Sequence, residues 1–148
     1  GHNTDHIGFK NSIEPLIKPD IHTKALVLGT GGASKAVVYA LESMNIECLY
    51  VSRTSGEQRI TYDDIDKSVI NDYKVIVNCS PVGTFPNIDQ CPKLPYKLIT
   101  NDHLLYDLVY NPEVTLFLQK GLDNGATIKN GAEMLEKQAI AAWNIWTE

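Results

Sequence analysis

The sequence predicts a doubly wound α/β fold, a mostly parallel sheet flanked by helices on both faces. Two observations carry this. Short apolar runs that stop at Gly, Ser or Pro alternate with stretches whose apolar residues recur every three or four positions. A glycine-rich turn joins the first such run to the first helical stretch, which is where this fold class receives ligands.

Taken in order, Asp5 can cap a helix covering Ile7 to Leu16, with Pro15 and Pro19 limiting its far end. Lys24-Ala-Leu-Val-Leu28 is a short apolar run ending at Gly29, as a buried parallel strand requires. Ala33, Ala36, Val37, Ala40, Leu41 and Met44 then repeat at helical spacing, and Asn45 closes that helix. Glu47 to Ser52 reads as a second strand, followed by a polar stretch with a short helix near Tyr62–Ile65. Tyr73 to Asn78 is a third strand, stopped by Ser80-Pro81. The proline-containing segment from Gly83 to Pro95 is an irregular loop. Leu104 to Tyr110 reads as a fourth strand. Val114–Lys120 reads as a helix ended by Gly121, and Ala126–Ile128 as a short edge strand. A last helix is expected from Asn130 to about Trp146, with the stripe Leu135, Ala139, Ala142, Trp143 and Trp146.

The length of 148 residues suits one domain with a real core. At 43% hydrophobic and 21% charged residues, the composition is that of a globular protein. Net charge is −5 and no basic block exists, so nucleic acid is not an expected partner. No apolar stretch approaches the roughly 18–20 residues of a membrane span, and no signal peptide is evident, so no membrane partner is expected either. Cys48, Cys79 and Cys91 form no CxxC pair and have no zinc spacing with His, so no metal site is expected and a reduced, cytoplasmic protein is. His2 and His6 stand four apart, but nothing nearby completes a metal site. The chain starts at Gly1 and reads as a processed product or a fragment.

Gly29-Thr30-Gly31-Gly32-Ala33 lies at the strand–helix junction where a dinucleotide fingerprint belongs. Glycines let the backbone approach a pyrophosphate, and the helix that follows points free N–H groups at the negative charge. The spacing is Gly-x-Gly-Gly-Ala rather than G-x-G-x-x-G, and a plain glycine turn would share it. The tip of the second strand selects the nucleotide. An NAD site usually places an acid there to bind the ribose hydroxyls. Here the chain reads Ser52-Arg53-Thr54-Ser55, and Arg53 lies 24 positions after Gly29. A guanidinium there can pair with a 2′-phosphate and the hydroxyls can add bonds, which favours NADP over an exposed surface Arg.

Four further segments, in order, resemble the shikimate dehydrogenase family. Gly1-His-Asn-Thr-Asp5-His-Ile-Gly8-Phe9 is similar to its GxNTDxxGF signature, and Asn78-Cys-Ser80-Pro-Val-Gly83 to its N-x-T/S-x-x-G loop. Asp107-Leu108-Val-Tyr110-Asn-Pro112 and Asn130-Gly131-Ala-Glu-Met134-Leu135-Glu-Lys-Gln138 resemble D-x-x-Y-x-P and G-x-x-M-L-x-x-Q.

The resemblance implies a Rossmann-like NADP-binding domain over residues 1–148. Its N-terminal helix (about 5–18) and C-terminal helix (about 130–146) would pack at the side facing another domain. It implies the family's reaction, NADPH-linked interconversion of 3-dehydroshikimate and shikimate in aromatic amino-acid (chorismate) biosynthesis. Asp5 is assigned to the substrate hydroxyl and the catalytic pair, and it can also be a helix cap. Tyr110 and Gln138 are assigned as substrate ligands. Gly29, Thr30, Gly31, Gly32 and Ala33 are assigned to the pyrophosphate, and Ser52, Arg53 and Thr54 to the adenosine phosphate. Leu108 and Gly131 approach the nicotinamide through backbone, and Met134 lines the cofactor pocket or belongs to the core.

Three departures stand out. The Asn that usually precedes Arg-Thr is Ser52. The position of a second basic residue, three after Thr54, holds Glu57, with Arg59 nearby but out of register. The family's catalytic lysine belongs to an N-terminal domain that no segment here resembles, so the chain alone is expected to be inactive. The expected partners are shikimate or 3-dehydroshikimate and that missing N-terminal domain, with a homodimer as an open option. Alternatives are a quinate/shikimate enzyme or a non-catalytic nucleotide-binding module.

Overall fold

The computed structural model describes residues 4–136. Among the described residues, six strands form one all-parallel sheet: β1 (Lys24–Leu28), β2 (Glu47–Ser52), β3 (Arg59–Thr61), β4 (Val75–Asn78), β5 (Leu104–Asp107) and β6 (Thr127–Asn130). Their spatial order is β3-β2-β1-β4-β5-β6, so the winding direction reverses between β1 and β4. The sheet is therefore doubly wound, the fold class predicted, and its crevice opens beyond the carboxyl ends of β1 and β4.

The central strands are buried on both faces because helices cover both. Leu26, Val27, Leu28, Val75, Ile76 and Val77 are fully buried, each contributing about 1.5–3 kcal/mol of hydrophobic stabilisation. On one face, Phe9 and Ile13 of α1 (Thr4–Ile13) and Val37, Ala40 and Leu41 of α2 (Gly32–Ser43) meet Ala25, Val27 and Tyr106. On the other, Ile70 of α3 (Lys67–Asp72) and Phe117 and Leu118 of α4 (Leu116–Asp123) meet Leu26, Leu28 and Leu105. The Ser12 hydroxyl shares a 2.7 Å hydrogen bond with the Tyr106 hydroxyl, so this buried phenol is satisfied. Among the described residues no helix is long and apolar enough to cross a membrane.

Several boundaries differ from the sequence expectations, each for a local reason. Helix α1 begins at Thr4, so Asp5 stands inside its first turn rather than at the cap. There its charge still opposes the positive end of the helix. The helix gives way at Ile13 to a 3-10 turn, Glu14–Leu16, because Pro15 has no N–H to continue the ladder. The short helix expected near Tyr62–Ile65 is a 3-10 turn, Tyr62–Asp64, closed by Asp64 accepting from the Thr61 backbone and hydroxyl, both at 2.9 Å.

Neither β3 nor α3 was expected. The first is three residues on an edge, and the second is one and a half turns started by Asp66 accepting from Val69 N at 3.0 Å. The strand expected to reach Tyr110 stops at Asp107, whose carboxylate accepts from Val109 N (3.0 Å) and turns the chain. Gly121 does not end its helix. It lies inside α4, where a Cβ would stand 2.5 Å from Leu105 Cδ2, and the terminating glycine is Gly125, at φ +88°. Asn45, at φ 63°, does close α2 as expected. Asn130 ends β6 and accepts from Ala132 N (3.1 Å), so helical structure starts at residue 132. Its expected continuation to Trp146, with Gln138, Ala139, Ala142 and Trp143, lies outside the described residues.

Candidate functional site

Two cavities lie side by side along the carboxyl edge of the sheet and share Ser80 and Pro81. The first, about 480 Å3, is lined by Gly29, Thr30, Ser52, Arg53, Thr54 and Arg59, among others, with no Asp or Glu in its wall. The second, about 520 Å3, is largely apolar and is lined by Cys79, Thr84, Leu108, Val109 and Tyr110. Together they make a trough across the point where the strand order reverses. A third cavity, about 460 Å3, is lined by Glu113, Glu133 and Glu136 with Lys129 in an ion pair to Glu133, a charge balance that repels phosphate.

The phosphate turn has the shape its glycines suggest. Gly29 sits at φ +114°, which an L side chain rarely adopts, and donates to Val51 O (2.9 Å), tying the turn to the tip of β2. Gly31 caps α2 in extended conformation, and the Ser34 hydroxyl donates to its carbonyl at 2.6 Å. A Cβ at Gly31 or Gly32 would meet nothing within 4 Å. No protein packing requires glycine there, so the open space above the helix N-terminus is what a ligand would use. Ala33 follows, exposed, in the first turn. The first turn of α2 carries no acid to compete for its N–H groups.

At the tip of β2, Arg53 and Thr54 are exposed. Ser52 donates its hydroxyl to Thr54 O (2.7 Å) and accepts from Thr54 N (3.3 Å). The hydroxyl expected to reach a phosphate thus shapes the turn that presents Arg53. Sequence reasoning left Arg59 without a location. Strand β3 brings its side chain into the wall of the same cavity, where its Nε is buried without a hydrogen-bond partner. The Arg-Ile-Thr run was too short to read as a strand, although Gly56 before it signalled a tight turn.

The second cavity is framed by one polar network. Asn78 donates to the Asp107 carboxylate (3.1 Å) and to Val82 O (3.3 Å), and its own side-chain oxygen accepts from Ser80 N and Oγ at 3.1 and 2.6 Å. Asp107 also accepts from Thr115 Oγ1 at 2.7 Å, and Thr115 in turn caps α4. One fully buried carboxylate therefore holds together the loops after β4 and β5 and the start of α4. Burial pushes its carboxyl up to about 6, against the pull of the Thr115, Val109 and Asn78 hydrogen bonds.

The sign of the pH effect follows. Between the unfolded value near 3.9 and about 6 the folded protein holds a proton the unfolded chain has lost. The contribution of Asp107 to stability is thus full at low pH and is lost as pH rises through about 6. Desolvation lowers His22 and His103, which act in the opposite sense, but they are common to any variant at 107. Asp107→Asn is expected to change stability relative to the parent by about 2 kcal/mol between pH 4.5 and 7.5. Denaturant midpoints at pH near 4.5 and near 7.5 measure it, and parallel profiles would refute the assignment.

Leu108 and Gly131, assigned on resemblance to one end of the site, are brought together. Leu108 N donates to Asn78 O (3.1 Å), and a Cβ at Gly131 would stand 2.1 Å from Leu108 O. Tyr110 is half exposed in the loop beyond β5 and lines the second cavity. Met134 is 9% exposed and packs in the core cluster with Phe9 and Tyr106. Asp5 lines neither cavity of the trough. It precedes His6, whose ring meets Tyr39 of α2 edge-on at 4.8 Å. Gln138 lies outside the described residues. The three cysteines are unpaired, and among the described residues no cluster of His, Cys, Asp and Glu could hold a metal.

No protein-family model matches the chain. Among curated proteins, it is 34% identical over 154 residues to a shikimate dehydrogenase (NADP+) of Clostridium botulinum, covering 99% of this chain and 59% of that protein. It is 34% identical over 161 residues to the enzyme of the same name from Methanococcus maripaludis, covering 99% and 57%. The shikimate dehydrogenase structure from Aquifex aeolicus superposes with a TM-score of 0.81 at 34% identity, over 97% of this chain and 55% of that one. The shikimate 5-dehydrogenase from Thermus thermophilus, solved with NADP(H) and shikimate, gives 0.79 at 30%, over 98% and 56%. The chain spans somewhat over half the length of the curated relatives it matches.

Proposed function

We propose that the chain, similar over nearly its whole length to shikimate dehydrogenases, is the NADP-binding domain of such an enzyme. The observation that carries this is the trough on the carboxyl edge, with a glycine turn at one strand tip and an acid-free arginine cavity at the next.

The residues fit the cofactor in three places. The open N-terminus of α2 accepts a pyrophosphate, Arg53 takes a phosphate on the adenosine, and the apolar cavity beside Leu108 takes the nicotinamide. Bound there, the cofactor supplies or receives the hydride. This chain's own residues hold it at both ends, keep water from its reactive face, and offer Tyr110 as a hydrogen-bonding ligand for the substrate. Asp5 and Gln138 complete the substrate set, with Asp5 holding a hydroxyl and orienting the lysine of a second domain. Helix α1 and the C-terminal segment of about residues 130–146 are the sides proposed to face that domain. With its cysteines unpaired, a reducing cytoplasm is the setting proposed.

Hydride transfer from a secondary alcohol needs a base for the hydroxyl proton and a clamp on the substrate. Asp5 supplies one carboxylate but not the lysine. The chain alone is therefore expected to show no turnover in an NADP-dependent absorbance assay with shikimate. Adding the N-terminal portion of a relative in trans should restore it. Robust turnover by the chain alone, abolished by Asp5→Ala, would overturn this division of labour.

A further inference from the structure

We propose that Arg59 is a second cation of the arginine cavity, so that Arg53 and Arg59 together receive one dianionic phosphomonoester. This rests on the nucleotide reading above and adds to it a residue that lies outside the motif register, where Glu57 stands instead.

The placement is built by the backbone. After Arg53 the chain turns back on itself: Gly56 N donates to Arg59 O (3.0 Å) and Arg59 N to Gly56 O (3.2 Å), with Gln58 at φ 56° between them. Strand β3 then pairs parallel to β2, with Arg59 opposite Tyr50. This hairpin-like return carries a long side chain from the sheet edge into the cavity that Arg53 also lines.

The electrostatics point to a ligand. A guanidinium has five donors and no acceptor, and a buried donor normally has a partner. Arg59 Nε is buried and has none, and among the described residues neither arginine has a carboxylate within ion-pairing distance. The exposed Glu57 does not line the cavity. Two uncompensated guanidinium groups in one acid-free wall match a group with about two negative charges and three acceptor oxygens, as a phosphomonoester has. A pyrophosphate bridge, already served by the helix end, does not need them.

The test uses the chain as it stands and two probes, 2′,5′-ADP and 5′-AMP, which differ in the added phosphomonoester. Calorimetric titration of the parent, Arg59→Ala and Arg59→Lys is expected to show a loss of about 10- to 100-fold for 2′,5′-ADP in the alanine variant. Affinity for 5′-AMP should stay within about 2-fold, and the lysine variant, which keeps the charge without the planar fork, should fall between. The double variant with Arg53→Ala should bind both probes equally. Unchanged 2′,5′-ADP affinity in Arg59→Ala, or an equal loss for both probes, would overturn the proposal. Failure of the parent to bind either probe would instead sink the nucleotide reading itself, and this inference with it.

Discussion

Replacing Gly131 with alanine is expected to lower the thermal midpoint by roughly 10 °C and to weaken nucleotide binding at the same time. A Cβ at this position would stand 2.1 Å from Leu108 O, 2.7 Å from its carbonyl carbon and 3.1 Å from its Cα. These are backbone atoms, so no rotamer change relieves the collision. Either the Leu108 backbone or the junction between β6 and the helix at residue 132 must move. The first lines the second cavity, and the second anchors Met134 in the core. Overpacking of this kind costs about 3 kcal/mol, which for a domain of this size gives a shift of about 6–12 °C. Gly32→Ala is the matched control, since a Cβ there meets nothing within 4 Å. Melting curves of the two variants decide the matter. Equal midpoints would show that the approach of Leu108 to Gly131 is looser than described.

Gly31→Val has the opposite profile, a large loss of binding with the fold retained. Gly31 is extended, at φ −78° and ψ −172°, a backbone that valine adopts readily. Losing glycine at the cap position costs about 1 kcal/mol or less, small against the 5–15 kcal/mol of a typical domain. The isopropyl group would fill the space above the N-terminus of α2 that a pyrophosphate must enter to meet the helix N–H groups. NADP affinity should fall at least about 100-fold, equivalent to about 2.7 kcal/mol. A folded Gly31→Val protein with parental affinity would show that this loop is only a turn.

The contrast between these two glycines shows what was legible in the sequence. Gly31 could be read because its meaning is local: it follows an apolar run and precedes a helical repeat. Gly131 could be placed only by resemblance, since its constraint comes from Leu108, twenty-three positions earlier in the chain. Gly121 was misread for the same reason. The Leu105 side chain that forbids a Cβ there arrives from strand β5, while the glycine that ends the helix is Gly125.

Strand β1 was legible because a run buried on both faces is uniformly apolar. Strand β3 was not, because an edge strand of three half-buried residues has no hydrophobic signature. Its absence from the reading left Arg59 without a location. Tyr110 was drawn into a strand because Leu108-Val-Tyr110 continues an apolar pattern, and only the Asp107 carboxylate, capturing Val109 N, breaks it. The glycine turn and Arg53 were placed correctly because both follow directly from strand ends.

The most direct test of the whole account is titration of this chain with NADPH and with NADH under one set of conditions, with Arg53→Ala alongside. A charge-assisted phosphate pair contributes about 1.5–3 kcal/mol. The parent should therefore prefer NADPH by about 10- to 100-fold, and Arg53→Ala should lose most of that preference while binding NADH as before. Equal affinity of the parent for the two nucleotides, or binding of neither, would contradict it.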